Sequence, residues 1–181
     1  MTSKKQNIVI ALVGPKHCGK TTLAWELAQR LSQDCYDTDD MITQLTGLSP
    51  RQLFQRSIEE FRAAEYEALK TILEKGKEGC IVATGGGIID NPPAWELLQK
   101  KTTIVFLEVS AEEAWQRILT AQGSTGTLPP FLQTENPQET HRILHLRRNK
   151  TYAESAHYII RDEGKSPQQK ASEILKKMGL L

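Results

Sequence analysis

The sequence predicts a three-layer α/β domain, a parallel sheet of five strands with helices on both faces. Three observations carry this. Short apolar runs alternate with segments of helical periodicity along the whole chain. The first run, Asn7 to Val13, passes directly into a glycine-bounded loop, Gly14 to Thr21, and a helical pattern follows at once. No linker or compositional break divides the 181 residues, a length that suits one domain with a full core.

The elements follow in order. Asn7–Val13 reads as a buried parallel strand. Thr22 to Leu31 is helical, with Leu23, Leu27, Ala28 and Leu31 on one face. Cys35-Tyr36 starts a short strand that leads into Asp37-Thr38-Asp39-Asp40. Met41 to Thr46 is helical and stops at Gly47, and Pro50 to Phe54 begins another helix. Ile58 to Lys75 is a long helix whose inner stripe is Phe61, Ala64, Ala68, Leu69, Ile72 and Leu73. Cys80 to Thr84 is a second buried strand, ending in Gly85-Gly86-Gly87. Pro92 and Pro93 open a helix to about Lys100, and Thr103 to Val109 is the next strand. Ser110 is placed to cap a helix over Ala111 to Ala121, with Glu113 completing a capping box. Gln122 to Pro137 lacks periodicity and reads as a mobile surface loop. Gln138 to Ser155 is helical, His157 to Arg161 is a last strand, and Pro167 to Met178 is a closing helix.

Composition excludes several classes. Hydrophobic content is 39% and charged content 25%, which is globular rather than disordered. A net charge of +1 argues against a broad nucleic-acid surface. No stretch reaches the roughly 20 apolar residues of a membrane span. Met1 to Gln6 is short and polar, with no signal-peptide pattern. Cys18, Cys35 and Cys80 are too few and too scattered for a disulfide framework or a zinc site, so the cytoplasm is the expected compartment. Cys35 and Cys80 read as buried strand residues. Cys18 reads either as a reactive thiol near a cation and a helix N-terminus or as a small residue that fits.

Gly14-Pro15-Lys16-His17-Cys18-Gly19-Lys20-Thr21 matches G-x-x-x-x-G-K-[ST] at every fixed position, in the strand–loop–helix context that the motif requires. Such a loop wraps a nucleoside triphosphate with backbone N–H groups. The motif predicts ATP contacts from Gly14, Pro15, Lys16, His17, Cys18, Gly19, Lys20, Thr21 and Thr22. Lys20 would reach the β- and γ-phosphates, and the Thr21 hydroxyl would bind Mg²⁺. Ligands in parallel α/β folds lie at the C-terminal strand ends, which gathers residues 14–21, 37–40 and 85–87 into one crevice.

Five segments in this order resemble the shikimate kinase family. They are the phosphate loop, Tyr36-Asp37-Thr38-Asp39, Glu60-Phe61-Arg62-Ala63-Ala64-Glu65, Ala83-Thr84-Gly85-Gly86-Gly87, and residues 146–154 with Arg148 and Tyr152. The resemblance covers nearly the whole chain. It implies a nucleoside-monophosphate-kinase-like fold of the phosphate-loop class, and one kinase domain over 1–181 with a substrate-binding helical region at about 39–75 and a lid at about 122–137. The implied activity is transfer of the γ-phosphoryl of ATP, with Mg²⁺, to the 3-hydroxyl of shikimate. The expected partner is a small hydroxy acid and neither nucleic acid nor membrane, and the expected state is a monomer. On this resemblance Lys20 and Asp39 are catalytic, Thr21 and Asp37 hold the metal, and Arg117 and Pro167 border the adenine. Asp39, Arg62, Glu65, Gly85, Gly86, Gly87 and Arg148 bind the acceptor. A guanidinium matches a carboxylate in a bidentate way, and Glu65, three residues after Arg62, is placed to orient it. Arg148 reads equally as part of a basic solvent face with Arg142, Arg147 and Lys150 until its spacing to Tyr152 is counted.

Two segments depart from the family pattern. Ser57-Ile58 replace a Gly-Glu pair ahead of Phe61-Arg62. Pro129-Pro130-Phe131-Leu132 stands where the family lid carries an arginine that closes on the phosphates, and residues 118–141 contain no Lys or Arg. Three readings follow: a substitute cation such as Lys16, Arg142 or Arg147, a slow enzyme, or a non-catalytic nucleotide-binding relative. A kinase for another hydroxy acid, such as gluconate, is the alternative enzyme.

Overall fold

A computed structural model describes residues 7–181; the polar segment 1–6 lies outside the described residues. Five strands, β1 (Val9–Val13), β2 (Asp34–Asp37), β3 (Cys80–Ala83), β4 (Thr103–Glu108) and β5 (Tyr158–Arg161), form one all-parallel sheet in the order β2-β3-β1-β4-β5. Among the described residues, eight helices cover it: α1 (Lys20–Leu31), α2 (Thr38–Thr46), α3 (Pro50–Arg56), α4 (Ile58–Lys75), α5 (Pro92–Lys101), α6 (Ala111–Thr125), α7 (Pro137–Ser155) and α8 (Pro167–Lys177). Among the described residues, no helix is long and apolar enough to cross a membrane.

The central strand explains the layers. Alternate side chains of a strand point to opposite faces. Ile10 and Leu12 enter a core with Leu23 and Leu27 of α1 and Ala171, Ile174 and Leu175 of α8. Ala11 and Val13 enter a second core with Ile42, Leu69, Ile72, Leu98, Phe106 and Tyr152. Ile10, Ala11, Leu12 and Val13 are wholly buried, which is why β1 reads as an unbroken apolar run. Fully burying each large side chain stabilises by about 1.5–3 kcal/mol.

The expected elements are present, with shifts at their ends. Strand β2 extends over Asp34 and Asp37, because parallel pairing with Cys80 to Ala83 continues past the apolar pair. Cys80 is buried, but Cys35 is only partly so, since β2 is an edge strand. Helix α6 runs to Thr125 instead of ending at Ala121. Gly123 is tolerated inside it, and Gly126, with φ 76°, closes it by donating to the Gln122 carbonyl. The irregular stretch is therefore shorter than 122–137 and contains a 3₁₀ turn at Pro130–Leu132. The capping box at Ser110 is half formed. Ser110 accepts from the Glu113 N–H at 3.2 Å, but the Glu113 carboxylate turns to Arg117.

Candidate active site

The chain leaves β1 at Gly14, whose φ of 145° and surroundings both demand glycine: a Cβ there would lie 2.7 Å from the Leu107 carbonyl oxygen. The loop then returns to start α1 at Lys20. The buried Lys20 ammonium turns back into the loop, donating to the Gly14 carbonyl at 3.0 Å and the Pro15 carbonyl at 2.7 Å, with Cys18 Sγ at 3.6 Å. Cys18 is itself buried in that contact. Lys16, His17, Gly19, Lys20, Thr21 and Thr22 line one wall of a cleft of about 690 Å³.

Strand β2 delivers the next groups to the same cleft. Asp37 caps α2, its Oδ1 accepting from the Asp39 N–H at 2.9 Å, while its Oδ2 accepts from the Thr21 hydroxyl at 2.7 Å. One hydroxyl and one carboxylate at the mouth of a phosphate loop fit Mg²⁺, which keeps several waters and binds through one or two protein groups plus phosphates. No cluster of three or more His, Cys, Asp or Glu that could cage a metal occurs among the described residues. Asp39, two residues on, also lines the cleft. Partial enclosure of its carboxyl and then the charge of Asp37 raise its pKa, while Lys16 and Lys20 pull it back.

The opposite end of the cleft is built by α4, α7 and the glycine turn after β3. Arg62 Nη1 donates to Glu65 Oε2 at 3.0 Å and to the Gly87 carbonyl at 3.3 Å. Glu65 is 1% exposed and is held from its other side by Asn91 Nδ2 at 2.9 Å. Asn91 also donates to the Arg62 carbonyl at 2.8 Å, so the arginine is fixed through both main chain and side chain. Arg148 grips Asp90 Oδ2 through Nη2 at 2.6 Å and Nε at 3.0 Å, and stacks 5.4 Å from the Phe131 ring centroid. The Gly85 N–H donates to the buried Thr38 hydroxyl at 2.9 Å, which ties the glycine turn to α2.

The structure thus brings together Lys20, Thr21, Asp37, Asp39, Arg62, Glu65, Gly85, Gly86, Gly87 and Arg148 around one cleft. Phosphates fit the loop, a carboxylate fits the two arginines, and Asp39 lies on the wall between them. Comparison with known proteins gives the family. The shikimate kinase family model matches residues 16–179. The chain belongs to the shikimate kinase family. The shikimate kinase of Marinomonas is 32% identical over 95% of this chain and 91% of its own, and that of Vibrio campbellii is 33% identical over 96% of each. Among solved structures, the shikimate kinase from Acinetobacter baumannii in complex with shikimate superposes with a TM-score of 0.83 at 31% identity, covering 96% of this chain and 94% of that one. Membership in the shikimate kinase family makes the chain an ATP-dependent small-molecule kinase.

Two expected adenine neighbours lie outside the cleft lining. The Arg117 guanidinium is paired with Glu113 and Asp162 and reaches the His17 carbonyl at 3.4 Å, and Lys170 joins the same Asp162. Pro167 opens α8 at its first turn. Several contributors escaped sequence reasoning. Asp90 is the partner of both Arg148 and Arg147, Asn91 supports Glu65, and Arg51 donates to the Thr127 hydroxyl at 2.7 Å and the Leu128 carbonyl at 3.2 Å. Asp90 and Asn91 lie within four residues of the glycine turn, and that proximity is the one signal that could have flagged them.

The segment around Leu132 packs beside a histidine pair. Leu132 packs with Trp115 and Ile118, and below it the His141 ring lies 5.5 Å from Trp115 and 5.4 Å from His145. His145 Nε2 meets the Val109 carbonyl at 3.0 Å. Burial, then His145 and Arg148, lower the His141 pKa to about 4. A histidine with a lowered folded pKa binds fewer protons folded than unfolded. Stability is therefore complete above the unfolded value of about 6.5 and is lost as pH falls toward 4. The loss should be on the order of 2 kcal/mol, after discounting for solvent screening. Urea titrations between pH 7 and 4 should show it, and His141→Phe should flatten the slope.

Proposed function

We propose that this kinase transfers the γ-phosphoryl of ATP to the 3-hydroxyl of shikimate. The observation that carries the reading is a single cleft with a phosphate loop at one end, two arginines suited to a carboxylate at the other, and Asp39 between them. Shikimate presents a carboxylate and a ring hydroxyl at separated positions, as this spacing asks. Arg62, kept in orientation by Glu65 and Asn91, and Arg148 would hold the carboxylate, with Arg148 exchanging Asp90 for the substrate. The turn at Gly85, Gly86 and Gly87 would lie against the ring.

The hydroxyl oxygen forms the new bond to γ-phosphorus as the bond to the leaving β-phosphate oxygen breaks, and Asp39 accepts the hydroxyl proton. Lys20 exchanges its loop carbonyls for phosphate oxygens, and the loop N–H groups stabilise the charge that develops. Thr21 and Asp37 would hold Mg²⁺, which neutralises phosphate charge when bound. Arg117 and Pro167 would border the adenine beside His17. One domain acting as a cytoplasmic monomer without nucleic-acid or membrane partners completes the reading.

The test is ADP release from Mg-ATP with shikimate, run beside gluconate and a blank without acceptor. Shikimate-dependent turnover is the expected result. Turnover with gluconate alone would reassign the acceptor, and ATP binding without transfer to either would mark a non-catalytic relative.

A further inference from the structure

We propose that Lys16 is a catalytic residue whose ammonium supplies, from the phosphate loop, the positive charge over the transferring phosphoryl group that the lid does not carry. The inference rests on the reading of the chain as an ATP-dependent kinase and adds a residue to its machinery.

Phosphoryl transfer spreads charge over the equatorial oxygens of the moving group, and an arginine guanidinium placed there is worth about 10³–10⁵ in rate in related systems. Residues 118–141 hold no Lys or Arg, so the lid cannot provide it. The cations that line the cleft are Lys16, Lys20, Arg51, Arg62 and Arg148. Four of these have other work. Lys20 sits within the loop, Arg62 and Arg148 are fixed on Glu65 and Asp90 at the acceptor end, and Arg51 is engaged with the lid backbone at Leu128 and with Thr127. Arg142 and Arg147 lie outside the lining, paired with Glu139 and Asp90. The Lys16 side chain is exposed and has neither a hydrogen bond nor an ion pair among the described residues.

Its position suits the task. The Lys16 backbone nitrogen packs against Gly86 so closely that a Cβ on that glycine would come within 2.8 Å of it. Lys16 therefore stands at the seam where the phosphate loop meets the acceptor wall. A phosphoryl group passing from the loop to a hydroxyl beside Asp39 must cross that seam. A flexible four-carbon stem lets the ammonium follow the group as it moves.

The experiment is steady-state kinetics on Lys16→Met, Lys16→Arg and the double variant Lys16→Met with Pro129→Arg. Arg142→Met serves as a control outside the cleft. Lys16→Met should lower kcat by about 100-fold or more while both KM values stay within about 3-fold, the pattern of an interaction made in the transition state. Lys16→Arg should recover most of the loss, Pro129→Arg should restore turnover to the Met variant from the lid side, and Arg142→Met should leave kcat unchanged. A kcat for Lys16→Met within about 3-fold of the parent, or a loss confined to the KM for ATP, would overturn the proposal. An acceptor-independent readout separates this failure from failure of the acceptor assignment. ADP should bind more tightly with aluminium fluoride, a mimic of the moving phosphoryl group, and Lys16→Met should remove most of that gain, leaving the share that Lys20 and the loop N–H groups supply. A gain undiminished in the variant overturns the role whichever acceptor is used.

Discussion

Asp39→Asn should abolish phosphoryl transfer while leaving ATP binding intact. The substitution keeps the size of the side chain and removes the one carboxylate that lies between the phosphate loop and the arginine pair. An amide cannot take the hydroxyl proton, and the loss of a positioned base costs about 10²–10⁴ in rate. The nucleotide end is untouched. Lys20 remains in the loop, Thr21 keeps its bond to Asp37, and the α2 cap uses the Asp39 backbone N–H rather than its side chain. The Asp39 pKa is raised by enclosure and by Asp37, so the folded protein disfavours this charge. Removing the charge should leave the melting temperature equal or higher at neutral pH. Lost turnover, unchanged ATP affinity by calorimetry and an undiminished Tm together assign the effect to chemistry. Turnover that survives would show that Asp39 is not the base.

Gly86→Ala should damage both halves of the site at once. The added Cβ would come within 2.8 Å of the Lys16 nitrogen and 3.3 Å of both the Lys16 Cα and the Pro15 carbonyl carbon. All three are backbone atoms, so no side-chain rotation relieves the contact. The Gly86 carbonyl also accepts from the buried Tyr152 hydroxyl at 3.4 Å, which resists retreat on that side. Overpacking of this kind costs about 1–3 kcal/mol. Either the phosphate loop or the glycine turn must move, and a displacement of about 1 Å at such a site costs on the order of 10² in rate. The expected result is a lower Tm with weaker ATP binding and a fall in kcat/KM. Gly85→Ala is the contrast. Its Cβ would meet Asp39 Oδ1 and Glu65 Oε1 at 3.4 Å, ordinary contact with side-chain atoms, so the Tm should hold.

The framework was legible because it is written in local patterns. The strands are apolar runs, β1 passes into a phosphate loop of fixed spacing, and the motifs after β2 and β3 fall at the strand ends where a parallel sheet gathers them. What the sequence hid is partner choice across the fold. Glu65 sits at a helical position that an ordinary surface pair would also occupy, and its near-complete burial arises only when Asn91 closes over it. Arg148 lies in a basic run, and the residue that distinguishes it from Arg142 is Asp90, more than fifty positions away in the chain. Arg117 illustrates the same limit, since its partner Asp162 follows β5 and has no local signature. The end of α6 lies beyond the expected Ala121 for a different reason. Glycine inside a helix is a small cost, and the cap that ends α6 is the left-handed Gly126, five residues beyond Ala121.

Strand β1 sits at the centre of the sheet and comes first among the strands, pairing Val9 with Cys80 on one side and Ile10 with Thr103 on the other. Both partners are distant in sequence, so no locally folded piece of the chain contains a supported phosphate loop. Closing those separations is the slow, entropically costly step in reaching such a topology. ATP thus meets a competent site only after the barrier to folding has been crossed. The nucleotide should retard unfolding in proportion to its binding and leave the refolding rate unaltered.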